Sequence, residues 1–319
     1  MAAAALAACS KQPKLTVQFP DKYEGKEVEL LNYLDSTTTA KAQIANGTAE
    51  FITEKGSDPE LYQIVVEGKV QGYYISEGGN AVITDSTTIA KGTPLNDLFA
   101  AKIAQLDSIE NLDDMDLYMD YAEKEYNAAR GSAIGDFFGV EWMKFAAPQR
   151  VDSLLKLAQP DFRDRKRVKH YEAFARHRAA TAPGMKYIDF EGENASGGKT
   201  KLSSLVKEGR FTLVDFWASW CPYCIKELPD LKKLQEDFGD GVLQVVGVAV
   251  RDLPADTKEM AAKHELKWPI LYNTQKTPYD IYGFSGIPHH MLLAPDGTII
   301  SRGENVAQIR TRLEKLLSH

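Results

Sequence analysis

The sequence predicts an antiparallel β-sandwich-like domain at the N-terminus, a helical connector, and an α/β domain at the C-terminus. Three observations carry that expectation. Seven short strand-like segments separated by turn residues fill the first part of the chain. Apolar residues then recur at spacings of three and four to about Arg178, and beyond Pro183 buried-strand runs alternate with amphipathic helices. The length of 319 residues fits about two domains at a prior of ~150 residues each. An apolar content of 44% is ample for packed cores. A net charge of −7 gives no general attraction to nucleic acid. Three cysteines, Cys9, Cys221 and Cys224, are too few for a disulfide-stapled framework.

The expected strands of the first block lie at 15–19, 27–31, 40–44, 49–52, 61–66, 72–76 and 80–83. Asn46-Gly47, Glu67-Gly68 and Glu77-Gly78-Gly79 supply the positive-φ positions that hairpins require. The block (15–93) contains no Cys, no His, no Gly-rich phosphate loop and no carboxylate cluster, and reads as a structural or docking module. From Pro94 the pattern turns helical. Leu95, Leu98, Ile103, Leu106 and Ile109 open it, and Tyr118, Tyr121, Tyr126, Ile134, Phe137, Phe138, Trp142, Val151, Leu154 and Leu155 continue the spacing. Arg163, Arg165, Lys166, Arg167 and Lys169 form a basic run without an aromatic stacking platform, which reads as a solvated helix face and not a nucleic-acid patch. Ala182-Pro183-Gly184 marks the boundary of the connector (94–182).

The last block (183–319) carries the chemistry. Expected strands at 211–217, 242–250, 290–293 and 298–302, an edge segment at 268–272, and helices at 255–264 and 306–317 describe an α/β sheet with an antiparallel hairpin. Trp220-Cys221-Pro222-Tyr223-Cys224 stands where the first of these strands hands over to a helix carrying Leu228, Leu231, Leu234 and Phe238. A thiolate at a helix N-terminus faces the positive end of the macrodipole and free N–H groups, which lower its pKa from about 8.5 to roughly 3.5–7.5. Cys221 is therefore the expected attacking thiol. Cys224, one turn on and expected to be more buried, is the resolving thiol, and Pro222 suits an early helical position where its missing N–H is not needed. Asp215, near the end of a buried strand, is a candidate acceptor for the Cys224 proton, because burial raises a carboxyl pKa. Glu227, three residues beyond Cys224 on the helix, is the second candidate, and the residues alone leave open which acid dominates. A structural zinc half-site would need two further ligands. His289 and His290 are adjacent on a strand and point to opposite faces, so at most one faces the dithiol; no metal and no cofactor is expected.

The run Val214-Asp215-Phe216-Trp217-Ala218-Ser219-Trp220-Cys221-Pro222-Tyr223-Cys224 resembles a thioredoxin-fold active site. Cys224-Ile-Lys-Glu227-Leu-Pro229 and the segment at 252–268 resemble the TlpA/ResA branch of extracytoplasmic thiol-disulfide oxidoreductases. The first block is similar to the small β domain that precedes such modules in envelope lipoproteins, through Val28-Glu-Leu-Leu-Asn-Tyr33, Tyr73-Tyr-Ile75 and Gly92-Thr-Pro-Leu-Asn96. The resemblance implies a thioredoxin fold, a cis-proline segment at Ile287-Pro288 beside the dithiol, and a role for Glu227 in the active site. It implies disulfide substrates, on proteins or small molecules, and a membrane thiol protein as electron donor. Trp220, Pro222, Tyr223, Ile287 and Pro288 are the residues expected to meet substrate.

At the other end of the chain, Leu6-Ala7-Ala8-Cys9 resembles the lipobox of bacterial lipoproteins, with Cys9 as lipid attachment point and residues 1–14 as signal remnant and tether. The expected location is the cell envelope, periplasm-facing and membrane-anchored. Two other classes frame that reading. A peroxiredoxin-type thiol peroxidase would need Pro and Thr where Val214 and Ala218 precede Cys221. A non-catalytic binding lipoprotein would leave the intact dithiol without a use.

Overall fold

The computed structural model describes residues 12–53, 58–112, 114–239 and 241–318. Cys9 lies outside them. The chain divides into two compact units, residues 1–172 and 173–319.

In the first unit, β1 (Lys14–Gln18), β4 (Thr48–Ile52) and β7 (Ala81–Ile83) form one sheet in the order β4-β1-β7. A second sheet, β3-β2-β5-β6, is built from β2 (Glu27–Asn32), β3 (Thr38–Gln43), β5 (Leu61–Val66) and β6 (Lys69–Ile75). All seven expected strands are present. The pairs are antiparallel except β1 with β7, which run parallel because a long meander separates them. Lys14, assigned to the tether from the sequence, opens β1. Leu15, Val17, Val28, Leu30, Phe51, Ile64, Val66 and Ile83 fill one core shared by the two sheets. Alternation of side chains along each strand puts these residues on a single face.

Five helices follow, α1 (Pro94–Glu110), α2 (Met115–Ala128), α3 (Ala133–Met143), α4 (Pro148–Leu157) and α5 (Pro160–Asp164), and then α6 (Lys166–Ala180), inside which the division between the units falls. Helices α1 and α3 pack on the four-stranded sheet with α2 against both of them, so this segment does more than connect. Phe137 of α3 packs against Tyr33, Tyr73 and Phe99 with ring centroids 5.4, 6.0 and 5.0 Å away. Of the basic run, Arg163, Lys166 and Lys169 are exposed as expected of a solvated face, while Arg165 and Arg167 are partly covered. Arg165 pairs with Asp35 at 2.7 Å and Glu60 at 3.1 Å, and the Arg167 guanidinium lies 4.3 Å from the centre of the Tyr33 ring. The acidic partners of Arg165 lie more than 100 residues away in sequence, and Arg167 donates to the Tyr33 carbonyl and the Gln63 side chain, contacts of which spacing along the helix gives no sign.

The second unit has the thioredoxin fold. A short hairpin, β8 (Glu191–Glu193) with β9 (Lys199–Lys201), precedes the central strand β10 (Phe211–Trp217). Then come α7 (Pro222–Phe238), β11 (Leu243–Ala249), α8 (Pro254–Lys263), β12 (Ile270–Leu271), α9 (Thr277–Tyr282), β13 (His289–Leu293), β14 (Ile299–Arg302) and α10 (Val306–Leu317). The sheet order is β12-β11-β10-β13-β14, with β10 parallel to β11 and antiparallel to β13. The β8–β9 hairpin and α9 were not expected from the sequence: three-residue strands and a six-residue helix are too short for a periodic signal. Leu213 and Trp217 of β10 face α7 and α10, while Val214 and Phe216 face the other side, toward Tyr279 and Tyr282 of α9. Both faces are covered, which is why β10 and β11 read as nearly continuous apolar runs. Among the described residues, no helix is long and apolar enough to cross a membrane.

Candidate functional site

The site forms where β10 ends and α7 begins. Cys221 is the N-cap of α7, with Pro222 following at the first helical position. Its Sγ accepts a hydrogen bond from the Cys224 amide at 3.1 Å, so one of the helix's free N–H groups is aimed at the sulfur. Cys221 and Cys224 are joined as a disulfide, with Cα atoms 5.3 Å apart. The expected difference in burial is absent: each cysteine is 3% exposed. What separates the two is position, since Cys221 caps the helix and Cys224 lies one turn inside it.

The other residues singled out for substrate contact surround this pair. Trp220 and Tyr223 are 55% and 72% exposed, large apolar surfaces left uncovered beside a buried disulfide. Trp220 is steadied by its indole N–H, which donates to the Arg251 carbonyl at 2.9 Å. The Ile287–Pro288 peptide is cis, and the Ile287 carbonyl oxygen lies 3.8 Å from Cys221 Sγ. A sulfur in a disulfide carries no proton, so this approach is a contact and not a hydrogen bond.

The carboxylates lie on the same side of the sheet. Leu213, Trp217 and Leu292 share a core cluster with both cysteines. Alternation along β10 and β13 therefore puts Asp215 and His290 on that face too. Asp215 is 2% exposed and stands opposite His290 in the β10–β13 register. His290 Nε2 is 3.4 Å from Asp215 Oδ1 and 3.7 Å from Glu227 Oε2. Burial raises the Glu227 pKa above the usual carboxylate range; His290 opposes the rise, and Asp215 and Asp230 add to it. Burial alone would lower the His290 pKa, but the facing Asp215 and Glu227 outweigh it and the net shift is upward.

His289 points the opposite way. Its ring stacks on Phe284 at 4.4 Å with an interplanar angle of 8°, and burial, reinforced by Arg302 and His290, lowers its pKa to about 3. The ring is half-buried and is held by this stacking. Sequence reasoning assigned His290 only to a discounted zinc alternative, although its two-residue offset from buried Leu292 was a readable sign of its direction. It missed Asp252 altogether. That buried carboxylate accepts from the Ser219 amide at 2.7 Å, the Ser219 hydroxyl at 2.8 Å and the Thr257 hydroxyl at 2.8 Å, and so ties the loop before Cys221 to the start of α8. Among the described residues there is no group of three or more His, Cys, Asp or Glu able to hold a metal ion.

Residues 183–302 match the AhpC/TSA family. The chain is 24% identical over 130 residues to the thiol-disulfide oxidoreductase ResA of Halalkalibacterium halodurans, covering 41% of this chain and 73% of that protein. It is 29% identical over 132 residues to the thioredoxin-like protein YneN of Bacillus subtilis, covering 40% of this chain and 75% of that one. The crystal structure of the thioredoxin domain of a thiol-disulfide oxidoreductase from Bacteroides vulgatus aligns with a TM-score of 0.38 at 26% identity, over 42% of this chain and 97% of the other.

Proposed function

From the premise that the C-terminal unit is a TlpA/ResA-like thiol-disulfide oxidoreductase, we propose that the chain is an extracytoplasmic reductase of disulfides working through Cys221 and Cys224. The observation that carries this reading is the Cys224 amide directed at Cys221 Sγ, which stabilises negative charge on that sulfur once the disulfide is opened. The Cys221 thiolate attacks one sulfur of a substrate disulfide. A Cys221–substrate disulfide forms, the first substrate thiolate leaves and takes a proton. Cys224 then loses its proton to a carboxylate, Glu227 or Asp215, and attacks Cys221 Sγ. The second substrate thiolate leaves, and two electrons have passed from the dithiol to the substrate. A thiol protein at the membrane returns the pair to its reduced form.

Trp220, Pro222 and Tyr223 form the apolar rim on which substrate rests, and the Ile287 carbonyl is the group placed to pair with an extended substrate chain at Pro288. The functional spans we assign are the tether up to residue 13, the β domain from Lys14, which opens β1, to residue 93, the helical segment at 94–182 and the redox domain at 183–319. Cys9 is the lipid attachment point, which places the redox domain at an envelope membrane facing the periplasm.

The test is a pair of substitutions in the full chain with insulin as substrate. Cys221→Ala abolishes disulfide reduction, and Cys224→Ser accumulates a covalent mixed disulfide on Cys221. Turnover retained in Cys221→Ala overturns the mechanism. Labelled palmitate incorporated by the wild type and lost in Cys9→Ala tests the anchor; no label on the wild type overturns it.

A further inference from the structure

His290 is the ionisable group on the dithiol side of the sheet that the mechanism above leaves unused, and it is 3% exposed. Its Nδ1 lies 3.0 Å from the Glu304 carbonyl oxygen, which only accepts, so Nδ1 carries a proton. Nε2 therefore becomes protonated when the ring is charged and is an acceptor when it is neutral. It points between Asp215 on β10 and Glu227 on α7, 3.4 and 3.7 Å away, and neither Nε2 nor Glu227 Oε2 has a hydrogen-bond partner among the described residues. The remaining charged groups near the ring are accounted for. Glu304 directs its carboxylate to Arg312, Asp230 lies one turn along α7 from Glu227, and His289 faces the other side of the sheet.

We propose that His290 is a positioning residue that couples Asp215 and Glu227 into one proton store serving Cys224. The proposal rests on the reductase reading above. Two carboxylates brought together in a poorly solvated site repel, and one of them takes up a proton unless a cation lies between them. An imidazolium at His290 is that cation. It favours the ionised form of Glu227, whose carboxylate can then accept the Cys224 proton during resolution. In that step the Cys224–H bond breaks, the proton moves to a Glu227 oxygen, the Cys224–Cys221 bond forms, and the Cys221–substrate bond breaks. His290 makes no covalent bond and changes no oxidation state. Removing its charge leaves the two carboxylates opposed and raises the pH at which Glu227 can act as a base.

The experiment follows the release of thionitrobenzoate from the Cys221 mixed disulfide by stopped-flow absorbance across pH 5–9, in the wild type, His290→Asn and His290→Gln. Asn keeps a donor near the Glu304 carbonyl, and Gln keeps a polar group near the carboxylates; neither carries a charge. Both variants are expected to release about ten-fold more slowly at pH 6 and to recover to within two-fold of the wild type at pH 9. A variant profile that superimposes on the wild type's, or one depressed equally at every pH, overturns the proposal. Ring ¹⁵N NMR of the wild type and Glu227→Gln supplies a measurement that does not depend on the His290 variants folding. The His290 ring is expected to titrate at lower pH in Glu227→Gln, and an unchanged titration overturns the coupling. Failure of the reductase reading is a separate result, seen as undiminished insulin reduction by Cys221→Ala.

Discussion

Asp215 and His290 occupy one antiparallel register position of β10 and β13 and meet 3.4 Å apart on the face of the sheet that carries the dithiol, both almost wholly buried. A buried carboxylate is costly unless it is paired, and a buried imidazole resists charging unless a carboxylate faces it. Each residue supplies what the other needs.

That pairing makes stability depend on pH in a defined direction. The folded His290 pKa is raised above the unfolded value of about 6.5, so the folded state binds the proton more tightly. Its contribution is complete below pH ~6.5 and is lost as pH rises through the folded pKa. Urea denaturation at pH 6 and pH 9 is expected to show a larger loss of stability in the wild type than in Asp215→Asn. Equal losses in the two proteins count against the pair.

His289 acts in the opposite sense. Its folded pKa is lowered to about 3, so between pH ~6.5 and 3 the unfolded chain takes up a proton that the folded chain refuses. Stability falls with pH across that window. His289→Phe preserves an aromatic partner for Phe284 and removes the titration. Its acid-unfolding midpoint, followed by far-ultraviolet circular dichroism, is expected at lower pH than the wild type's.

Asp252 holds the loop that delivers Cys221 to the helix. Asp252→Ala removes the acceptor for four donors, the Ser219 amide, the Ser219 hydroxyl, the Leu253 amide and the Thr257 hydroxyl. The expected cost is about 2 kcal/mol, within the range for leaving buried donors unsatisfied. Cys221 attack on an aryl disulfide slows as the N-cap loosens. Thermal unfolding and stopped-flow kinetics measure the two effects, and a variant with wild-type stability removes the positioning role.

In the first unit Asn96 is wholly buried and bridges α1 to β6. Its Oδ1 accepts from the Ile75 amide and its Nδ2 donates to the Ile75 carbonyl, each at 2.8 Å. Asn96→Ala leaves both backbone groups unpaired, at an expected cost of about 2 to 3 kcal/mol. Denaturation read by far-ultraviolet circular dichroism checks the loss, while the thiol exchange rate at Cys221 is expected to remain within two-fold of the wild type.

Local chemistry along the chain was enough to identify the strands of the first unit, the helical region, the central strand β10 and the dithiol at its junction with α7. Strand alternation, helical spacing, the turn glycines and the CxxC spacing are properties of neighbours in sequence, so they survive without a fold. The short β8–β9 hairpin and α9 lack enough residues to show a period. The contacts of Arg165 and Arg167, the loop anchor at Asp252 and the equal burial of the two cysteines arise between segments far apart in sequence. The same is true of His290. Its direction from β13 follows from alternation, but its meeting with Asp215 and Glu227 requires the pairing of β10 with β13 and the seating of α7 on that face. Residue spacing determined that this protein carries a dithiol at a helix start. Only the tertiary structure decided which charges stand behind it, because register and packing, not proximity along the chain, set the distances over which charges act.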